Sequence, residues 1–207
     1  MKTRLIILSS VVSILLCNCH GPVTRINPWV PYDESAEIAQ NASHSSPKMR
    51  YQLIQSRILD RNAVWKNVSD QLHGFTDEDY QRLKPLILEQ DIPSLQLHVS
   101  SGRLTYRELT QWYLYRIVMF ENNPATALNN IISINPDAVR EAVERDRKRS
   151  PGHHPLYGIP VLLKDNIGMN GLPTTAGAAF LTGNMASDAF IVERIKEKGG
   201  IILGKVN

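Results

Sequence analysis

The sequence predicts an α/β fold, with helices at the front of the chain and strands near its end. Apolar residues recur at helical spacing over long stretches, for example at Leu109, Trp112 and Ile117. Two short and nearly continuous apolar runs, residues 158–163 and 201–203, have instead the pattern of strands buried on both faces. We therefore expect a helical front followed by an α/β part.

Length and composition indicate a soluble globular protein. The 207 residues are enough for one domain or for one domain with a helical preface. Hydrophobic residues make up 43% and charged residues 21%, and the net charge is only +3. The positive charges are scattered apart from a cluster at residues 145–149, and no basic stripe with interleaved aromatics is present, so we expect no nucleic-acid partner.

The first 19 residues have the pattern of a secretory signal peptide. Lys2 and Arg4 precede an apolar run at residues 5–16, which is shorter than the roughly 20 residues needed to span a bilayer. We expect export to the periplasm or the extracellular space. Cys17 and Cys19 are the two cysteines of the chain, which predicts neither a disulfide framework nor a thiolate metal site downstream. Cys19 is a candidate lipid-attachment site, although Asn18 is a poor match to the usual small residue, so a lipoprotein and a freely secreted protein both stay open.

Residues 20–47 are rich in Pro, Asn and Ser and are predicted to be a polar linker. Residues 48–93 are predicted to be a helical extension. Apolar spacing indicates one helix over residues 49–72, and a second begins at Thr76 with three acidic residues in its first turn. Pro85 is expected to break or kink that second helix.

The clearest helix start is at Thr105. The segment Thr105 to Glu108 matches a capping box and follows a turn at Ser101 and Gly102. A further helix is expected to open at Asn135-Pro136, with proline at its first position. The aromatic side chains on the face of the Thr105 helix indicate core packing rather than a ligand site.

The α/β part begins after the loop at residues 150–155. The run at 158–163 predicts a strand, and Pro160 places it at the start or the edge of a sheet. Ser187 or Asp188 is expected to cap a helix that runs to Lys198 and stops at Gly199, before the strand at 201–203. Two strands without further partners do not complete a domain.

Lys164 is the candidate catalytic residue. From its position at a strand end alone, it is more simply explained as a surface lysine. The alternative is a desolvated lysine, because burial lowers the pKa of an amine and a neutral amine can act as a general base.

Two other patterns carry less weight. Residues 199–205 match the first seven positions of a phosphate-binding loop, but Val206 replaces the required Ser or Thr and the predicted order is helix then strand. His153 and His154 are adjacent in a loop, without the spacing or the carboxylate partner of a metal site. We expect neither nucleotide binding nor a bound metal.

The surroundings of Lys164 favour the catalytic interpretation. Residues 158–166 (GIPVLLKDN), 174–177 (TTAG), 187–192 (SDAFIV) and 204–207 (GKVN) resemble, in order and spacing, the motifs of the amidase signature family. The resemblance extends more weakly back to residue 94, through the Thr105 helix, Asn135-Pro136 and Asp146. It implies a mixed sheet covered by helices, of which residues 94–207 form the N-terminal part of a truncated amidase domain. Val206 departs from the threonine that is commoner in the family.

The resemblance also implies a mechanism. Family members hydrolyse amides with a serine nucleophile, a second serine on a cis peptide bond and a lysine, without a metal or organic cofactor. Lys164 matches the lysine, whereas both serines belong to a Gly/Ser-rich stretch expected downstream of Asn207, so we expect these 207 residues to be inactive alone. Peptide amides, fatty-acid amides and small aliphatic amides stay open as substrates, and so does the oligomeric state.

Two alternatives differ in function. One is the A-type subunit of an amidotransferase that acts on mischarged tRNA, which the predicted signal peptide argues against. The other is a secreted, non-catalytic helical binding module that retains an amidase-like segment.

Overall fold

A computed structural model describes residues 26–31, 33–50 and 61–207 of the chain. The predicted signal peptide, with Cys17 and Cys19, lies outside these residues. Within them the chain forms two short 3-10 helices, Pro47–Met49 and Ala179–Leu181, three strands and seven α-helices. The helices are α1 (Ser35–Asn41), α2 (Asn62–Gln71), α3 (Asp77–Ile87), α4 (Ile92–Ser100), α5 (Tyr106–Glu121), α6 (Ala138–Arg147) and α7 (Phe190–Glu197). No helix in these ranges has the length and hydropathy required to cross a membrane.

The three strands are β1 (Ile131–Ile134), β2 (Pro160–Lys164) and β3 (Ile201–Val206), and they form one mixed sheet in the order β1-β3-β2. β1 pairs antiparallel with β3, and β2 pairs parallel with it. The predicted mixed α/β fold is confirmed, and β2 is an edge strand that begins at Pro160. The expectation of only two strands was wrong, because β1 is a third. Its four residues carry little local signal, and it is a strand through its pairing with β3.

The sheet is covered by apolar side chains on both faces. On one face α2 to α6 pack around Trp112, which is fully buried, and the same core includes Ile201 and Leu203 of β3. On the other face Ile202 and Leu163 pack with Val192 of α7. Alternate residues of β3 thus enter opposite cores, which explains why residues 201–203 are continuously apolar.

Two helices begin as the sequence predicts. Thr105 accepts a hydrogen bond from the amide of Glu108, whose carboxylate accepts one from the Thr105 amide, and this capping box starts α5. Thr76 and Asp79 form an equivalent box at the start of α3. Asp146 of α6 adds two bonds, because its carboxylate accepts the amide protons of the first two residues of α5.

Several predicted boundaries were wrong. Pro85 does not end α3, which continues to Ile87, because a proline in the last turn removes only one of the final backbone hydrogen bonds. The helix expected at Asn135-Pro136 starts at Ala138, since the Asn135 side chain accepts the Asp137 amide and holds the preceding residues in a turn.

The last helix also begins later than predicted. α7 starts at Phe190, and its N-cap residue is Ala189 rather than Ser187 or Asp188. The Asp188 carboxylate instead accepts hydrogen bonds from the Asn170 amide and the Lys196 ammonium. Residues 92–100, for which no helix is predicted, form α4 after an N-cap at Asp91.

Part of the predicted linker lies against the helices. The side chain of Asn122 binds both the amide and the carbonyl of Asn27. Asn62 binds the amide and the carbonyl of Trp29 in the same way. The described residues 26–31 are therefore held against α2 and the C-terminal end of α5.

Candidate active site

The candidate site lies where β2 and β3 end. Because these strands are parallel, their carboxyl ends share one edge of the sheet, which is where open α/β sheets usually bind ligands. Lys164 is the last residue of β2 and pairs with Val206. Its side chain is exposed, because β2 has a neighbouring strand on one side only among the described strands. The burial expected of a desolvated lysine is thus not found at Lys164.

The backbone around Lys164 is fixed by three hydrogen bonds. The Asp165 amide donates to the carbonyl of Val206 at 2.8 Å, which extends the β2–β3 pairing by one residue. The Ile167 amide donates to the carbonyl of Lys164 at 3.0 Å and closes a turn. The Ala176 amide donates to the carbonyl of Asp165 at 3.2 Å. These bonds connect the end of β2 to the end of β3, to the turn at residues 164–167 and to residue 176.

The Asp165 carboxylate is buried and organises residues 175–177. It accepts hydrogen bonds from the Thr175 hydroxyl and, at 3.2 Å, from the Gly177 amide. Ala176 and Gly177 both have positive φ, at 50° and 79°. Ala176 therefore adopts a conformation that non-glycine residues rarely take, and the bonds to Asp165 hold it there.

The buried lysine of the site is Lys205, on β3. Its side chain is fully buried, and its ammonium donates to the carbonyl of Pro173 at 2.9 Å and to the hydroxyl of Thr174 at 2.7 Å. The nearer Asp165 carboxylate oxygen lies 3.9 Å from the ammonium. Burial lowers the pKa of Lys205, and the Asp165 charge acts in the opposite direction.

Sequence reasoning missed the role of Lys205. The sequence places Lys205 in the 204–207 motif block without a role of its own and otherwise matches it to the lysine of a phosphate-binding loop, which would require a strand, a loop and then a helix. In the structure α7 precedes β3, and Lys205 lies inside the strand. The register of Lys205 with Leu163, on a face of the sheet that α7 covers, comes from the pairing of β2 with β3 and not from the sequence pattern.

The remaining motif blocks meet at the same edge. Asp188 and Ala189, from the 187–192 block, bind the turn that follows β2, through the Asn170 amide and the Gly168 carbonyl respectively. Asn207, from the 204–207 block, donates its amide proton to the carbonyl of Asn130. The four motif blocks, which are separate in the sequence, thus all contribute to one corner of the fold, at the carboxyl ends of β2 and β3.

No hydroxyl group is positioned for activation by Lys164 in the described residues. The hydroxyls of Thr174 and Thr175 are bonded to Lys205 and Asp165. No hydrogen bond joins the Lys164 amine to any serine or threonine in residues 26–31, 33–50 and 61–207. This corner therefore provides the Lys164 amine and the hydrogen-bonded backbone that carries it.

Other candidate groups lie elsewhere. His153 is exposed and stacks on Tyr157, with ring centroids 3.7 Å apart, and the part of the chain that the structure describes contains no group of residues arranged to hold a metal. A cleft of about 460 Å³ between α4 and residues 149–155 is lined by neither Lys164 nor Lys205. The basic cluster at 145–149 lies partly at this cleft, where Arg149 donates to the carbonyl of Val99.

Comparison with known proteins agrees with the motif blocks. The family model described as Amidase matches residues 108–207. A probable amidase of Arabidopsis thaliana is 39% identical over 127 residues, which cover 58% of this chain and 24% of the relative. The A-type subunit of the glutamyl-tRNA(Gln) amidotransferase of Exiguobacterium sibiricum is 34% identical over 122 residues, which cover 58% of this chain and 25% of the relative. The chain thus spans about a quarter of the length of these relatives.

Solved structures of amidases are also similar to this chain. A protein of Bacillus anthracis described as an amidase family protein superposes with a TM-score of 0.67 at 37% identity, over 72% of this chain and 30% of that one. The native peptide amidase of Stenotrophomonas maltophilia superposes with a TM-score of 0.55 at 43% identity, over 58% of this chain and 25% of that one.

Proposed function

Residues 108–207 belong to the amidase signature family, and we propose that the chain is the lysine-bearing part of an amidase that hydrolyses C–N bonds. The observation that carries this proposal is the convergence of the four motif blocks at the carboxyl ends of β2 and β3. Lys164 is the last strand residue at that edge, and hydrogen bonds hold the backbone on both sides of it.

The proposed chemistry assigns Lys164 the role of general base. A neutral Lys164 amine accepts a proton from a bridging serine, which in turn accepts the proton of the nucleophilic serine. The resulting alkoxide attacks the amide carbonyl, the C–N bond breaks, and the amine departs with the proton that the Lys164 ammonium returns through the bridging serine. Water then gives a proton to the same relay and hydrolyses the acyl-enzyme, which restores the nucleophilic serine. Because Lys164 is exposed, we infer that the bound substrate and the segment that carries the two serines cover it and remove water from it.

The first test concerns the need for those serines. The purified 207-residue chain is expected to hydrolyse simple amides no faster than its Lys164→Ala variant. The protein expressed from the complete open reading frame is expected to be active, with a Gly/Ser-rich stretch that supplies both serines. Faster hydrolysis by the 207-residue chain than by its Lys164→Ala variant would contradict the proposal that both catalytic serines lie outside these residues. A stop codon after codon 207 would favour the non-catalytic binding module.

A second candidate function is that of an amidotransferase A-type subunit. The 34% identity to the subunit from Exiguobacterium sibiricum favours it. The two functions differ in substrate: such a subunit is expected to use glutamine and to require partner subunits and tRNA, whereas the proposed amidase hydrolyses a simple amide by itself. Ammonia release from glutamine only in the presence of charged tRNA would select the second candidate.

We further propose that the protein is exported, from the signal-peptide pattern at residues 1–19 and the candidate lipid site at Cys19. If Cys19 carries a lipid, the wild-type protein partitions into the detergent phase of a cell extract and a Cys19→Ser variant moves to the aqueous phase. If both proteins partition into the aqueous phase, Cys19 carries no lipid and the protein is freely secreted. Recovery of the protein from the cytosol with an intact N-terminus would contradict export.

A further inference from the structure

Lys205 is the feature of this site that the proposed mechanism does not use. A fully buried ammonium is costly unless it is paired, and an apolar side chain of similar volume would avoid that cost. Lys205 is in register with Leu163, on the face of the sheet that packs against α7. An apolar residue would match these surroundings, so the contacts of its ammonium call for an explanation.

Those contacts all go to the two segments that flank Lys164. The Lys205 ammonium binds the carbonyl of Pro173 and the hydroxyl of Thr174, and it lies 3.9 Å from the carboxylate of Asp165. Asp165 in turn binds Thr175 and Gly177. Four of the five residues 173–177 are therefore held by one of these two buried charges.

The backbone of Asp165 connects residues 173–177 to Lys164. Asp165 follows Lys164 directly, and its amide and carbonyl bind Val206 and Ala176. A displacement of the Asp165 carboxylate would therefore move the peptide that joins it to Lys164. A misplacement of about 1 Å in a catalytic group can reduce the rate about 100-fold.

We propose that Lys205 is a positioning residue which, together with Asp165, fixes the strand end that carries Lys164 against residues 173–177. The catalytic consequence rests on the proposed function of Lys164, whereas the structural part does not. The competing explanation is that Lys205 only neutralises the buried Asp165 charge and stabilises the fold as a whole.

Three variants separate these explanations. Lys205→Met removes the ammonium and leaves Asp165 as a buried charge without its partner. Adding Asp165→Asn removes that charge as well, at nearly constant volume. Because Asp165→Asn by itself changes the group that binds Thr175 and Gly177, the double variant is compared with Asp165→Asn alone. If Lys205 only balances charge, these two variants behave alike. If its bonds to Pro173 and Thr174 position the segment, the double variant recovers global stability but not the local geometry.

The local geometry is measured by amide hydrogen exchange on the 207-residue chain. We expect the amides of Ala176 and Gly177 to exchange at least about tenfold faster in Lys205→Met than in the wild type, and faster in the double variant than in Asp165→Asn alone, since a contact that holds their hydrogen bonds closed is lost. The Leu114 amide in α5 reports global opening and is expected to be unchanged in the double variant. Exchange at Ala176 and Gly177 in the double variant equal to that in Asp165→Asn alone would overturn the proposal.

Thr174→Val keeps the test decisive if Lys205→Met does not fold. It retains Lys205 and removes a single acceptor of the ammonium, so it is expected to accelerate exchange at Gly177 in the same direction and by a smaller factor. Lys198→Met, at an exposed lysine directly after α7, is the matched control and should leave every amide unchanged. Identical exchange in Thr174→Val and Lys198→Met would count against the proposal.

The catalytic part is tested in the protein from the complete open reading frame. Lys205→Met is expected to lower kcat roughly 10- to 100-fold with KM within about twofold, because the position of Lys164 changes while substrate binding is retained. A kcat equal to that of Lys198→Met would overturn the positioning role. If Lys164→Met retains activity, the proposed function fails instead, and hydrogen exchange still decides whether Lys205 positions the segment.

Discussion

At the scale of single residues, the two lysines near the strand ends occupy opposite environments. Lys164 ends an edge strand and is exposed, whereas Lys205 lies on the central strand, one position away in register, and is buried. The Lys164 amine is therefore accessible to solvent, whereas the Lys205 amine is enclosed by Pro173 and Thr174. This difference follows from the strand order rather than from residue type.

A prediction at this scale concerns the capping box of α5. Thr105→Ala removes the hydroxyl that accepts the Glu108 amide proton. We expect the free energy of unfolding of the 207-residue chain to fall by about 1 kcal/mol, as measured by denaturant titration. Thr105→Ser retains the hydroxyl and is the control. An equal loss in both variants would show that the methyl group of threonine, and not the cap, is responsible.

A second prediction concerns acid stability. The hydrogen bond from Arg82 lowers the pKa of Asp79, and burial opposes it, while Thr76 lowers the pKa further. A carboxyl group whose pKa is lower in the folded state stabilises the fold above its unfolded pKa, near 3.9, and this stabilisation is lost as the pH falls through the folded pKa. Asp79→Asn should therefore flatten the dependence of unfolding free energy on pH below about 4.

The comparison for Asp79 is Asp70→Asn, at an exposed carboxylate that pairs with Lys66 on the surface of α2. This variant should leave the acidic slope close to that of the wild type, because exposed pairs contribute little. The proposed contribution of the α3 cap is wrong if Asp79→Asn and the wild type lose stability in parallel as the pH falls below about 4, the ordinary carboxyl pKa.

At the scale of elements, β3 is the strand on which the α/β part depends. It pairs with both other strands, contributes to both apolar cores and carries Lys205. Gly204 lets β1 approach it, because a Cβ atom there would overlap the carbonyl oxygen of Ser133 and lie 3.1 Å from the Cα atom of Ile134. The close pairing of β1 and β3 therefore requires glycine at this position.

Gly204→Ala is accordingly expected to destabilise the chain by about 1–3 kcal/mol, the usual cost of overpacking. Thermal or denaturant unfolding measures the loss, and exchange at β1 amides should rise. Gly183→Ala is the matched control, since a Cβ atom at Gly183 meets open space and φ is not positive there. Equal stability of the two variants would contradict the pairing described for β1 and β3.

At the scale of the whole molecule, local signals in the sequence predicted their elements well. The Thr105 box and the apolar run before Lys164 correspond to α5 and β2. What could not be predicted depends on distant partners. β1 is a strand because β3 pairs with it, and Asp188 leaves its predicted capping role because Asn170 and Lys196 bind it.

The same reasoning applies to the candidate site. The motif blocks named Lys164, but the exposure of a strand end depends on which strands flank it, and that is a property of sheet order. The burial of Lys205 likewise depends on α7 and residues 173–175, which cover that face of β3. Sequence alone therefore indicated the candidate residue Lys164 and did not indicate the buried pair of Lys205 and Asp165 beside it.

The central claim is that Lys164 is the base of an amidase. It is tested most directly by kcat/KM for amide hydrolysis in the protein from the complete open reading frame, compared between Lys164→Met and Lys198→Met. We expect Lys198→Met to match the wild type and Lys164→Met to lose at least about 1,000-fold, as is usual when a member of a catalytic set is removed. Activity of Lys164→Met within about tenfold of Lys198→Met would contradict the claim.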